Sequence, residues 1–230
     1  MNTILAIQTA LIAAGYNPGP EDGIIGRLTL KAVELYRSQM GLPPGGIDQA
    51  LIDRLILDNP PPPPPSEASW YTLAWRKLGQ HEAIHNSKLS RFLRFDGNTL
   101  GDPSRQPWCG DFVETCIAIT LPDETLPSTP YAAQSWAAFG DDITEQGPRL
   151  GAVLVFWRGS PTSWKGHVGF YNGETENTYS VLGGNQSNRV SITEISKDRL
   201  LSIRWPATFP YEGPAPRTVV TRGEVSTDEA

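Results

Sequence analysis

Three groups in this chain have the types and order to do chemistry together: a cysteine where a helix should begin, an imidazole on a strand, and an amide beyond the next strand. They stand in Pro107-Trp108-Cys109-Gly110-Asp111-Phe112-Val113, in Gly166-His167-Val168-Gly169-Phe170-Tyr171 and in Gly183-Gly184-Asn185-Gln186. Thiol, imidazole and amide in that order can build a nucleophilic site. Behind Pro107, the residues Phe112, Val113, Cys116, Ile117 and Thr120 recur at helical spacing, which puts Cys109 in or just before the first turn. The positive end of the helix dipole there favours the thiolate, and the backbone N–H of Cys109 can receive the oxyanion of a tetrahedral intermediate. Asp111 and Glu114 oppose the thiolate by like-charge repulsion. An imidazole nearby is therefore needed to take the proton and hold the sulfur as an ion pair.

His167 is the histidine with the positional argument. Alternation puts Val168 and Phe170 on one face of its strand, with His167, Gly169 and Tyr171 on the other, and Gly169 leaves room beside the ring. A third group should orient the ring. Asn185 lies on or just after the next strand, and Gln186 is the runner-up, because one residue of register flips the face of a side chain. Trp108 and Tyr171 are the candidates for substrate contact. Cys116, inside an apolar helix, reads as a small core residue.

Two other patterns suggest metals, and neither is assigned one. His81-Glu82-Ala83-Ile84-His85 matches the H-E-x-x-H zinc pattern in letters, with the histidines one helical turn apart, but has no evident third ligand and reads as a solvated helix face. The stretch Asp96 to Asp102 alternates acidic and amide oxygens, as a calcium loop does. Position twelve of such a loop would be Pro107 rather than Glu, so it reads as a surface loop. No cofactor is expected.

The ordered set PWCGDFV, VLVFWRGS before GHVGFY, VLGGNQSNRV and a closing RLLSIRWP resembles the cysteine peptidoglycan hydrolases of the CHAP and NlpC/P60 superfamily, in a phage-type branch with a GGNQ motif. The resemblance covers roughly residues 70–206. It implies a papain-like domain that cleaves amide bonds of bacterial cell walls, with Cys109 as nucleophile, His167 as base and Asn185 as third member. Many CHAP relatives carry a glutamate two residues before their asparagine. This chain has Gly183 there, so the orienting residue stays open between Asn185 and Gln186.

The elements that must hold these groups follow from periodicity. Pro60 to Pro65 form an unbroken run of prolines, an extended spacer of about 3.1 Å per residue. Ahead of it, Ile4, Leu5, Ile7, Leu11 and Ile12 make an apolar stripe, interrupted by Gln8 and stopped at Gly15. A second stripe runs from Leu28 to Gly41, and a third helix spans residues 47–57. The loop Tyr16 to Gly26 resembles the signature of the three-helix peptidoglycan-binding domain, a module that would tether a hydrolase to its insoluble polymer. Beyond the cysteine helix the period changes to two, with strands expected at 152–157, 167–172, 178–182, 190–195 and 201–205. Helices first and an antiparallel sheet second mean an α+β domain in which the helix packs on the sheet and brings Cys109 to His167. The expected organisation is a three-helix domain at 1–58, a linker at 59–68, a hydrolase domain at 69–210 and a disordered tail at 211–230.

The net charge is -6, from 19 Lys and Arg against 25 Asp and Glu, and no segment is basic enough for nucleic acid. No stretch is long enough to span a membrane. Cys109 and Cys116 would lie about 10 Å apart along one helix, too far for a disulfide, so both are free thiols suited to a reducing cytoplasm. Residues 1–12 lack the basic start of a secretory signal. The function expected is therefore a monomeric peptidoglycan hydrolase that resembles an endolysin, made in the host cytoplasm and reaching the wall after holin-type release. It would be either an N-acetylmuramoyl-L-alanine amidase or a stem-peptide endopeptidase. The alternatives are a secreted antibacterial toxin with the same chemistry, or a wall-binding protein with a degenerate hydrolase fold.

Overall fold

The computed structural model of the chain describes residues 3–13, 16–40, 42–58, 66–95, 97 and 99–214. The proline run, Gly15, Gly41, Asp96, Asn98 and residues 215–230 lie outside them, and with them most of the expected linker and tail.

The N-terminal segment folds as α1 (Thr3–Ala13), α2 (Arg27–Gln39) and α3 (Gln49–Asp58). Ile7, Leu11, Val33, Tyr36, Leu51 and Leu55 form its apolar core, while Leu5, Ile12, Leu28 and Leu35 from the expected stripes are exposed. Gln8, which interrupts the first stripe, is a buried clamp. Its Nε2 donates to Asp22 Oδ1, the Ile24 carbonyl and Thr29 Oγ1, and its Oε1 accepts the Gly23 N–H at 2.8 Å. One side chain thus satisfies the polar groups of a loop that the helices alone could not. Arg37 does the same at the other turn, donating to the carbonyls of Pro43 and Gly46 and to Asp48 Oδ1 at 2.7 Å.

The second core belongs to α4 (Ser69–Trp75), α5 (Asn86–Leu93), α6 (Cys109–Thr120) and a six-stranded antiparallel sheet in the order β1-β6-β2-β3-β4-β5. The strands are β1 (Asp141–Asp142), β2 (Val153–Trp157), β3 (Gly166–Glu174), β4 (Thr178–Gln186), β5 (Arg189–Ser196) and β6 (Leu200–Trp205). A 3-10 turn at Ala133–Ala138 also packs on β2, β3 and β6. Periodicity anticipated β2 to β6 and α6; it did not anticipate α4 and α5, whose short runs carry too few turns to show a period.

Helix α6 is buried from Cys109 through Ile117 because it lies between α4 and the strands β3 and β4. Phe112, Val113, Cys116 and Ile117 are fully enclosed, each large side chain contributing about 1.5–3 kcal/mol of burial. The helix ends where Leu121 donates back to the Ile117 carbonyl and Pro122 can give no further N–H. Gly110, in its first turn, permits a close approach: a Cβ there would lie 2.2 Å from the Pro130 carbonyl oxygen.

Both ends of this unit differ from the sequence expectation. Ala68, placed in the linker, is buried, and its carbonyl starts α4 by accepting the Thr72 N–H. Tyr211, placed in the disordered tail, stacks edge-on against Trp205 and donates its hydroxyl to the Gly147 carbonyl. An aromatic ring with a reachable acceptor orders the segment around it despite the polar composition.

Candidate active site

Cys109 is the first residue of α6, with Trp108 as its N-cap and no side-chain cap on the helix. Backbone donors are directed at the sulfur: the N–H groups of Gly110 and Cys109 in that turn and of Val168 on β3 all stabilise its charged form, as does the more distant Arg158 guanidinium. Burial nevertheless outweighs them and pushes the thiol above its ordinary value. The expectation that the helix start lowers it is corrected for that reason. Cys109 is only 5% exposed, so desolvation of the thiolate exceeds the gain from a few oriented dipoles.

Val168, whose N–H reaches the sulfur, is the residue after His167, so α6 and β3 meet at Cys109 within one residue of the histidine. The His167 ring is buried, with Nε2 placed 3.0 Å from Gln186 Oε1. The amide of Gln186 is oriented by its other end. Its Nε2 donates to the carbonyls of Ser191 and Val181 and to Ser191 Oγ, which makes Oε1 the acceptor toward the ring. His167 therefore carries its proton on Nε2. Nδ1 is left as the basic nitrogen.

The third position is thus occupied by Gln186, and the assignment of Asn185 is corrected. Regular alternation along β4 would have put Asn185 on the side of Gly183, facing His167. The β4–β5 pairing is irregular between Gly183 and Gln186, and Asn185 sits in the left-handed region at φ 56°. That single turn of backbone carries Asn185 into the cleft and swings Gln186 onto the histidine. Gly183 makes the space: a Cβ there would lie 3.0 Å from Gln186 Oε1 and 3.3 Å from His167 Nε2.

Cys109 lies in a cleft of about 500 Å³ whose walls include Glu82, Tyr131, Arg158, Trp164, Lys165 and Asn185. Trp108 and Tyr171, expected to touch substrate, are absent from that wall. Trp108 is buried under Gly184, where a Cβ would meet its ring at 2.6 Å, and donates Nε1 to Glu82 Oε2 at 2.9 Å. Tyr171 is buried against Tyr179. Both were judged by their nearness in sequence to reactive residues, whereas packing had first claim on such large rings. The residues that do line the cleft had one sequence signal, the cluster Trp157-Arg158 and Trp164-Lys165 just ahead of His167.

The zinc-like pattern is described in full, whereas Asp96 and Asn98 of the calcium-like stretch lie outside the described residues. His81 to His85 form a turn, and α5 begins only at Asn86. The Nδ1 of His85 accepts the His81 N–H, and the Nδ1 of His81 accepts the Ala83 N–H, both at 3.1 Å. The His85 N–H also returns to the His81 carbonyl at 2.8 Å, so the Nδ1 atom of each ring is engaged by the backbone of the turn itself. Asp102 of the loop ahead of the cysteine accepts hydrogen bonds from Asn86 and Ser104. Among the described residues no group of three or more His, Cys, Asp or Glu is arranged to hold a metal ion.

Residues 1–55 match the family described as "Putative peptidoglycan binding domain". The match falls on α1 to α3 and supports peptidoglycan as a partner and association with the cell wall. No curated protein and no solved structure matches the chain. Among the described residues no helix is long and apolar enough to cross a membrane.

Proposed function

We propose that the chain is a thiol-dependent peptidoglycan amidohydrolase, with a papain-like catalytic unit of the CHAP and NlpC/P60 kind tethered to the wall by its N-terminal helices. The observation that carries the reading is the convergence at the start of α6: a cleft-lining cysteine, backbone N–H groups around its sulfur, and a histidine whose tautomer is set by a buried amide.

In the reaction, His167 Nδ1 takes the thiol proton as Cys109 Sγ attacks the amide carbonyl, and the N–H of Cys109 is available to the developing oxyanion. His167 then gives the proton to the leaving nitrogen, the C–N bond breaks and a thioester remains. Water attacks the thioester, passing one proton through His167 back to sulfur and leaving a carboxylic acid.

An N-acetylmuramoyl-L-alanine amidase and a stem-peptide endopeptidase use the same three groups, and the product decides between them. We place the protein's action on the wall, after synthesis in a host cytoplasm and release through a membrane lesion, in the manner of an endolysin. The test is mass spectrometry of purified peptidoglycan digested by the wild type, Cys109→Ala and Cys116→Ala. Free stem peptides with N-terminal alanine identify an amidase and fragments cut within the stem an endopeptidase. Both depend on Cys109 and persist in Cys116→Ala. No Cys109-dependent product from several wall types overturns the enzyme reading in favour of a wall-binding protein.

A further inference from the structure

Cations outnumber carboxylates in the lining of the cleft over Cys109, with Arg105, Arg158 and Lys165 against Glu82. One wall is the β2–β3 hairpin, which carries Arg158 and Lys165 on facing arms: the Arg158 N–H donates to the Lys165 carbonyl at 2.9 Å. The hairpin is held in place from behind, where Gln134 Nε2 donates to the carbonyls of Ser163 and Lys165 at 2.7 and 2.9 Å. Trp164 stands 83% exposed between those two carbonyls. Among the described residues that line this wall, the segments 131–133, 158 and 164–166, there is no carboxylate.

The rest of the lining carries one carboxylate, Glu82, and one further cation, Arg105. Glu82 is fixed by Trp108 Nε1 and by its own N–H, which donates to the Asn188 carbonyl at 2.9 Å. Arg105 faces Asp102 at 3.8 Å. In a chain of net charge -6, two cations held on a braced hairpin beside the nucleophile are a local reversal of sign. A guanidinium and an ammonium so placed match a carboxylate, which accepts forked and charge-assisted bonds; a carboxamide at the same point has one acceptor oxygen and no charge.

We infer that Arg158 and Lys165 read a free carboxylate on the substrate peptide beside the scissile amide, so that the site takes acidic stem peptides and rejects the same peptides amidated at that group. The inference rests on the Cys109 site acting on peptides. It adds which ones.

The test uses pairs of synthetic muramyl peptides identical except that one carboxylate is free or converted to its carboxamide, each carboxylate being changed in turn. Two measurements are made on each pair: kcat/KM with the wild type, and Kd by calorimetry with full-length Cys109→Ala. At one position the free carboxylate is expected to win by about tenfold or more, in KM and in Kd alike. Placed in the Cys109→Ala protein, Arg158→Gln and Lys165→Gln should each shrink the Kd ratio toward one by weakening binding of only the acidic member. Equal Kd for both members of every pair overturns the inference, as does an equal weakening of Kd on both members in the two variants. If no peptide is cleaved while the Kd ratio persists, the hydrolase reading fails and carboxylate recognition stands.

Discussion

His167 Nε2 and Gln186 Oε1 lie 3.0 Å apart, and the amide nitrogen of Gln186 is at the same time engaged by Ser191 and Val181. A neutral amide locked in this way sets which ring nitrogen is basic without adding charge to the site. Gln186→Ala should therefore lower kcat on the order of 10²-fold with little change in KM. Asn185→Ala, which alters a cleft wall and not the ring, should act mainly on KM. Steady-state kinetics on a soluble stem peptide distinguish the two. Gln186→Glu offers a further readout, because a carboxylate there favours the imidazolium and should move the acid limb of the pH profile upward.

The thiol of Cys109 is raised by burial, against the N–H groups around it and the Arg158 charge. A raised thiol ionises only above the pH at which an exposed cysteine does, so its alkylation rate should climb through the ordinary thiol range and continue beyond it. Removing a positive charge that favours the thiolate moves the curve further in the same direction. Arg158→Ala should thus shift the profile to higher pH. Iodoacetamide kinetics measured across pH, with Cys116→Ala as background to isolate Cys109, check both outcomes; a plateau reached at neutral pH would contradict them.

Gly110→Ala places a methyl group 2.2 Å from the Pro130 carbonyl oxygen, a backbone atom that cannot rotate away. The segment that carries Tyr131, part of the cleft wall, must then move. The expected cost is about 1–3 kcal/mol in thermal or denaturant unfolding, together with reduced turnover.

Gln8 makes four hydrogen bonds that hold the loop around residues 22–24 against α1 and α2. Gln8→Ala leaves those buried groups unmatched and should destabilise the N-terminal unit by about 1–3 kcal/mol. Sedimentation with purified walls should fall, while cleavage of a soluble peptide at Cys109 is retained, because the two cores are separate.

Much of the fold follows from patterns that run along the chain. The apolar spacing of Phe112, Val113, Cys116 and Ile117 can bury only as a helix, and alternation in β2 to β6 can bury only as a sheet; these signals are local, so they survive without knowledge of what packs against them. The order of cysteine, histidine and amide is legible for the same reason. α4 and α5 escaped because each is two turns or so, too short to establish a period.

The rest was decided in three dimensions. Whether Asn185 or Gln186 meets His167 depends on one left-handed residue, whose cost is repaid by contacts with β5 that no stretch of sequence displays. The direction of the Cys109 thiol depends on how much water the packed sheet removes from it, a sum over α4, α6 and β3. The convergence of Arg158, Lys165 and Glu82 on one cleft depends on β2, β3 and the 82–188 contact closing around one point. The sequence by itself determined which chemical groups are present and which elements carry them. Only the tertiary structure decided which groups meet and how far water is excluded from them, because contact and desolvation arise between elements distant in the chain.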